Sequence, residues 1–367
     1  MPISLTAAID DDGRRLDRIL RKALPELPLS AIHRLLRKGS VLVEGERAAI
    51  DRRVQAGQTI TLPDNVYQRN LNHGVTQSKT RSYTEKKQRT NQKLRGTPCK
   101  TPCSPWLTCS DMILFEGAGL LILNKPAGLP VHGKGSLEDM VRLYLEPKLP
   151  PSLSFRPGPL HRLDRPSSGV IAFSTSLEGA RFFSAMMRNR MIKKQYLALV
   201  NGVIEKAEVW EDELVRDEGQ KKTFRARGDN AGVVKNDVSK PGGVKTALTR
   251  VSPLAGDGER TLILAVIETG RTHQIRAQAA ARGHPLFGDR KYGGIYGNAI
   301  HADGNLDGEF LLHAWRMEFP GNTDNDKYEG LPWRLPQRIE APLPEKFLEK
   351  IQNIFGKGII SDLLSQL

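Results

Sequence analysis

The chain has 367 residues, 39% of them hydrophobic, and carries a formal net charge of +14, with a mean hydropathy of −0.41. That length can bury a large core in two domains, and no apolar run reaches the roughly 20 residues needed to span a bilayer. The charge points to a polyanionic partner, nucleic acid ahead of membrane, while the acidic stretch 1–12 lacks a secretory pattern and three cysteines are too few for a disulfide scaffold, as in a cytoplasmic protein.

From Gly13 to Pro63 the pattern is a compact unit. Leu16, Ile19, Leu20 and Ala23 fall at helical spacing, and Pro25 and Pro28 end that helix. Ser30 is placed as the N-cap of a second helix carrying Ile32, Leu35 and Leu36 and stopped by Gly39. Val41-Leu42-Val43 with Glu44-Gly45 then predicts a small hairpin. Arg14, Arg15, Arg18, Arg34, Arg37 and Lys38 are expected to decorate the two helices as RNA contacts.

Between 64 and 110 the sequence is polar, basic and poor in large apolar residues, which predicts a flexible linker. Cys99, Cys103 and Cys109 fall there; their spacing lacks a fourth ligand and is not a standard zinc pair, so they are expected to be free thiols.

Order returns at Met112–Phe115 and in the buried strand Leu120–Leu123, which ends in Asn124-Lys125-Pro126. A helix is predicted over Leu137–Leu149. A polar turn, Pro159 to Gly169, follows and runs into the strand Val170–Phe173. Leu177–Arg190 is amphipathic, Lys193–Val200 reads as a strand containing Tyr196, and 216–245 is a polar hairpin excursion or loop. A strong strand, Thr261–Glu268, precedes Gly270-Arg271-Thr272-His273-Gln274-Ile275-Arg276, which is expected to enter a helix over Ala277–Arg282. Leu311-Leu312-His313-Ala314 starts the last strand.

The polar turn carries His161-Arg162-Leu163-Asp164 and Ser167-Ser168-Gly169. Asp164, flanked by Arg162 and Arg165, should stay ionised and so serve as nucleophile or anchor rather than proton donor. The four letters alone prove nothing, because Arg15-Leu16-Asp17-Arg18 repeats them at a helix start. Their context resembles the catalytic motif of the RluA family of RNA pseudouridine synthases. Asn-Lys-Pro, Lys-x-Tyr-x-Ala, Gly-Arg-Thr-His-Gln-Ile-Arg and Leu-Leu-His-Ala follow the same family order, and 13–63 resembles its S4 RNA-binding domain. The S4-bearing branch directed at large-subunit ribosomal RNA, the RluC kind, is most similar. One departure stands out: Arg276-Ala277-Gln278 replaces the usual Arg-x-His.

The resemblance implies an α+β fold: a catalytic domain over 111–355 built on a largely antiparallel mixed sheet, preceded by the S4-like domain and the linker. It implies Asp164 as nucleophile, Arg276 as its cationic partner with Arg271 second, and Tyr196 stacking on the flipped base and helping move the proton from C5. Arg162 is to fill the gap in the RNA stack and Leu312 to wall the pocket, with Lys125, Arg271 and His161 touching substrate. The isomerisation transfers no net electrons, so it needs no cofactor, and no nucleotide-binding fingerprint is present. The histidines are read as structural rather than metal ligands. Ribosomal RNA is the expected substrate, with transfer RNA second. A catalytically silent assembly factor and a base-releasing glycosylase are the competing classes, the latter distinguished by free uracil as product.

Overall fold

A computed structural model describes residues 2–64, 107–149, 152–217, 219, 221–226, 243–293, 310–320, 335–356 and 358. The chain divides into two compact units, one of residues 1–100, 142–158 and 175–178, the other of 101–141, 159–174 and 179–367. The middle of the expected linker, with Cys99 and Cys103, lies outside the described residues. Cys109, placed in that linker by composition, is instead buried at the entry to the second unit.

The first unit holds β1 (Ile3–Thr6), β2 (Arg14–Arg15), α1 (Leu16–Ala23), α2 (Leu29–Arg37), β3 (Leu42–Val43), β4 (Glu46–Arg47), β5 (Arg53–Val54) and β6 (Thr59–Leu62). Leu16, Ile19, Leu20, Ile32, Leu36, Val43, Ile60 and Leu62 share one core, as their helical and alternating spacings demand. β3 and β4 form the expected hairpin across Glu44-Gly45. Two details differ from expectation. Pro28, with extended backbone, caps α2 and places Ser30 inside its first turn, because proline's fixed φ and missing N–H suit a helix start. Arg14 and Arg15 pair with β5 rather than decorate a helix. Arg14 donates to the Ser154 hydroxyl at 2.8 Å, and Arg15 pairs with Asp17 at 3.1 Å. Arg18, Arg34, Arg37 and Lys38 are exposed.

The second unit contains β7 (Ile113–Gly117), β8 (Leu120–Lys125), β10 (Ser168–Ser174), β11 (Lys193–Asn201), β12 (Glu208–Asp217), β13 (Lys222–Arg225), β14 (Lys245–Gly256), β15 (Arg260–Ile267), β16 (Leu312–Glu318) and β17 (Arg338–Glu340). The short β9 (Gly158–Pro159) pairs with β10 and β17 with β16. Helices α3 (Leu137–Leu145) and α4 (Leu177–Arg188) each have residues in both units, while α5 (Gln274–Ala281) and α6 (Glu345–Phe355) belong to this one. The sheet order is β13-β12-β14-β15-β11-β16-β10-β8-β7. Its registered pairs are antiparallel except β10 with β16, which run parallel. This is the mixed, largely antiparallel α+β architecture the resemblance implied.

The parallel junction brings three motifs side by side. Ala314 of β16 is opposite both Gly169 of β10 and Tyr196 of β11, and the β11 register shifts between Gln195 and Tyr196. The extra residue is Trp315 of β16, which stands unpaired between Ala314 and Arg316 in that register. Below the junction, His313 is wholly buried. Its Nε2 lies 3.2 Å from the Ala341 carbonyl, which only accepts, so Nε2 carries the hydrogen and Nδ1 accepts from the Ser168 hydroxyl at 2.8 Å. Burial lowers its pKa from 6.5 to about 4. The unfolded chain binds that proton near pH 6.5 while the folded one does not until about pH 4. Stability therefore falls as pH drops through that window, by on the order of 3 kcal/mol. Urea titrations of the parent and His313→Gln at pH 7 and pH 4.5 check this: the parent is expected to lose more stability on acidification than the variant.

Candidate active site

The loop before β10 presents Asp164, with its side chain 15% exposed. Its sequence neighbours are not its partners. Arg162 is exposed, and Arg165 donates through Nε to the Gly128 carbonyl at 3.0 Å. The cation comes from 112 residues further along: Arg276 Nη1 donates to Asp164 Oδ2 at 2.9 Å. This agrees with the first-choice partner and sets aside Arg271, which is exposed and donates to the Thr246 carbonyl at 2.9 Å.

Arg276 is delivered by α5, which begins at Gln274, three residues earlier than the sequence suggests. Gln274 explains the early start: its Oε1 accepts from the Arg271 N–H at 3.0 Å and the Thr269 hydroxyl at 2.8 Å, tying the approach to the first turn. Arg276 is buried, and each of its three guanidinium nitrogens donates to a carboxylate. Nε and Nη2 donate to the two oxygens of Asp289 at 2.7 and 2.9 Å, leaving Nη1 for Asp164. The Phe310 and Tyr292 rings sit 4.2 and 5.0 Å from its central carbon. Burial opposes its charge, but the Asp289 hydrogen bonds and the two carboxylates outweigh that and raise its pKa. A planar fork with five donors can hold two carboxylates at fixed angles; a lysine cannot.

Gln278 does not bear on Asp164. Wholly buried, it donates to the Trp210 carbonyl and to Asp212 at 2.8 Å each and accepts from the Thr249 hydroxyl at 2.6 Å. The departure from Arg-x-His is thus absorbed by a satisfied structural network.

Two expected substrate contacts are corrected. Lys125 is fully buried, and Nζ donates to the carbonyls of Pro126 and Leu129 at 2.8 Å and of Arg165 at 3.1 Å. It ties the loop after β8 to the Asp164 loop. Lys125→Met leaves those carbonyls without their cation and is expected to destabilise the fold by about 3 kcal/mol or more, lowering turnover with RNA affinity within twofold of the parent; urea titration and a binding isotherm read the two effects. His161 accepts the Ala172 N–H at 3.1 Å and stacks on Phe183. Burial, helped by the Lys194 charge, lowers its pKa to about 3, so it is neutral. It anchors the loop and does not face the cleft.

Asp164 divides two recesses. One, of about 390 Å³, is lined by Val131, Arg162, Asp164, Arg276, Lys291 and Phe310 among others. The other, of about 60 Å³, lies between Asp164, Tyr196, Leu312, Ile267 and Ser167. Exposed Arg162 borders both. Burial and the Asp164 charge push the Tyr196 hydroxyl up, so it stays protonated at neutral pH.

Sequence reading missed Asp289, Tyr292 and Phe310 and took His273 as merely structural. Asp289 lay in view at the end of Gly283–Asp289, but no local pattern tells which distant cation a buried carboxylate meets.

The fold thus sets an arginine-bound aspartate beside a tyrosine at the β10–β16 junction. A family model described as RNA pseudouridylate synthase matches residues 119–281, and the chain belongs to this family. It is an isomerase of uridine in RNA, RluC-like within the RluA group. A ribosomal large subunit pseudouridine synthase C of Vibrio parahaemolyticus is 31% identical over 350 residues, 94% of each chain. The protein of the same name from Escherichia coli K12 is 29% identical over 358 residues, 96% of each. In fold, the chain is similar to human RNA pseudouridylate synthase domain containing 4, with a TM-score of 0.50 at 21% identity over 67% of this chain and 94% of that one.

Proposed function

We propose that the chain isomerises specific uridines of large-subunit ribosomal RNA, with Asp164 as the reacting carboxylate. The observation that carries this is the Asp164–Arg276–Asp289 arrangement. Arg276 holds Asp164 Oδ2 at 2.9 Å, while Oδ1 stands 3.8 Å from His273 Nε2. The substrate assignment draws on the names of the relatives, which match nearly end to end. A cytoplasmic location is in keeping with a ribosomal substrate.

A stacked uridine cannot reach Asp164, so the nucleotide is flipped out of the helix. Arg162, exposed at the rim, takes the vacated place in the stack. As it moves, the small recess opens to the base, with Leu312 as apolar wall and the Tyr196 ring as stacking face. The N1–C1′ bond breaks, C5 bonds to C1′, the C5 proton leaves and N1 gains one, so atoms and electrons balance with no cofactor. Asp164 serves as nucleophile at C1′ or C6, or as the base of an elimination. Protonated Tyr196 accepts the C5 proton only as it passes its own onward, as a relay.

The S4-like unit, 13–63, docks RNA through Arg18, Arg34, Arg37 and Lys38. Replacing these four by Gln is expected to weaken RNA binding and to flatten the dependence of log K on log salt by about 0.7 to 0.9 per lost phosphate contact. Turnover at saturating RNA is expected to hold.

The deciding experiment incubates the protein with unmodified large-subunit ribosomal RNA and maps pseudouridine, with Asp164→Ala in parallel. New pseudouridine at a few positions, absent with the variant, is the expected result. Product on transfer RNA alone overturns the substrate, and free uracil overturns the reaction.

A further inference from the structure

We propose that His273 and Asp164 together grip the ribose 2′-hydroxyl of the target uridine, His273 donating a hydrogen bond to that oxygen and Asp164 accepting its hydrogen. This rests on Asp164 being the reacting carboxylate.

The Tyr292 hydroxyl accepts the Thr223 N–H at 2.8 Å and lies 2.9 Å from His273 Nδ1. Among the described residues His273 Nδ1 is the acceptor within reach of the Tyr292 O–H, and with one of its lone pairs taken by Thr223 the hydroxyl gives its hydrogen to Nδ1, so the ring hydrogen sits on Nε2. Burial, reinforced by Arg276, Lys291 and Arg216 against the pull of Asp164, lowers the His273 pKa to about 4. At neutral pH the ring is therefore uncharged, with one donor. A left-handed backbone (φ 55°) just before α5 and an edge-to-face contact with Tyr292 hold it in place.

That donor has no acceptor at hydrogen-bond distance on Asp164. His273 Nε2 stands 3.8 Å from Asp164 Oδ1, too far for a direct bond, while Oδ2 is held by Arg276. Both residues line both recesses. One oxygen atom set about 2.8 Å from each fits a 3.8 Å gap with ordinary hydrogen-bond lengths, provided that it accepts from Nε2–H and donates to Oδ1. Within an internal uridine, O2 and O4 only accept, N3–H only donates, and the 3′ and 5′ oxygens are esterified. The 2′-hydroxyl alone does both, and it is also the group that separates RNA from DNA.

The test uses short target RNAs with uridine or 2′-deoxyuridine at the modified position only. Single-turnover kcat/KM is read for the parent, His273→Asn (a residue tolerant of positive φ) and Tyr292→Phe (which removes the hydrogen that fixes the tautomer). The parent is expected to lose about tenfold on the deoxy target, one hydrogen bond's worth. The variants lose about as much on the ribose target, and their deoxy penalty shrinks to within about twofold. A tenfold penalty that survives in both variants, or none in the parent, overturns the inference, as does an ¹⁵N spectrum showing the Nδ1–H tautomer. Product formation by Asp164→Ala instead overturns the reading of Asp164, an outcome separate from the deoxy series.

Discussion

Arg276→Met is expected to abolish measurable pseudouridine formation, a loss of about 10³ or more, and to lower stability by about 3–5 kcal/mol. The variant leaves Asp164 and the buried Asp289 without the cation between them. Two carboxylates at that spacing repel, and Asp289, 1% exposed, has no water to replace the fork. Arg276→Lys separates charge from geometry. It keeps the charge but reaches only one carboxylate well, so turnover should fall about a hundredfold with a smaller stability loss. Single-turnover rates and urea titrations of both variants check this. An Arg276→Lys protein within twofold of the parent rate sinks the idea that the fork positions Asp164.

Gly169→Ala is expected to prevent folding of the catalytic unit or to cost more than about 4 kcal/mol. A Cβ at Gly169 would lie 2.1 Å from the Ala314 carbonyl oxygen and 2.7 Å from its nitrogen, both backbone, at a φ of +109°. Nothing there can swing aside without separating β10 from β16, the pair that aligns the strand after the Asp164 loop with Tyr196's neighbour. Gly283→Ala is the control. At φ +80° with nothing within 4 Å, it bears only conformational strain, about 1–3 kcal/mol. Thermal melts of the two variants should differ widely; similar melting temperatures would show that the close approach at Gly169 is not what the junction requires.

By itself the sequence determined the elements and their content. Apolar spacing marked α1, α2, β8 and β15, because a helix or strand must bury one face and its period is written in the chain. The motif order carried the fold class, and the Asp164, Tyr196, Leu312 and Arg276 set was legible from the resemblance. Only the tertiary structure decided partnership. It gave Asp164 to Arg276 rather than to its neighbours Arg162 and Arg165, because a side chain's direction follows from the loop's path and not from adjacency. It turned Lys125 and His161 from substrate contacts into supports, since a buried carbonyl or N–H must be satisfied by whatever donor or acceptor the fold brings near. Asp289, Tyr292 and Thr223 entered the site for the same reason. Hydrogen bonding acts over about 3 Å in space, and distance along the chain does not encode it.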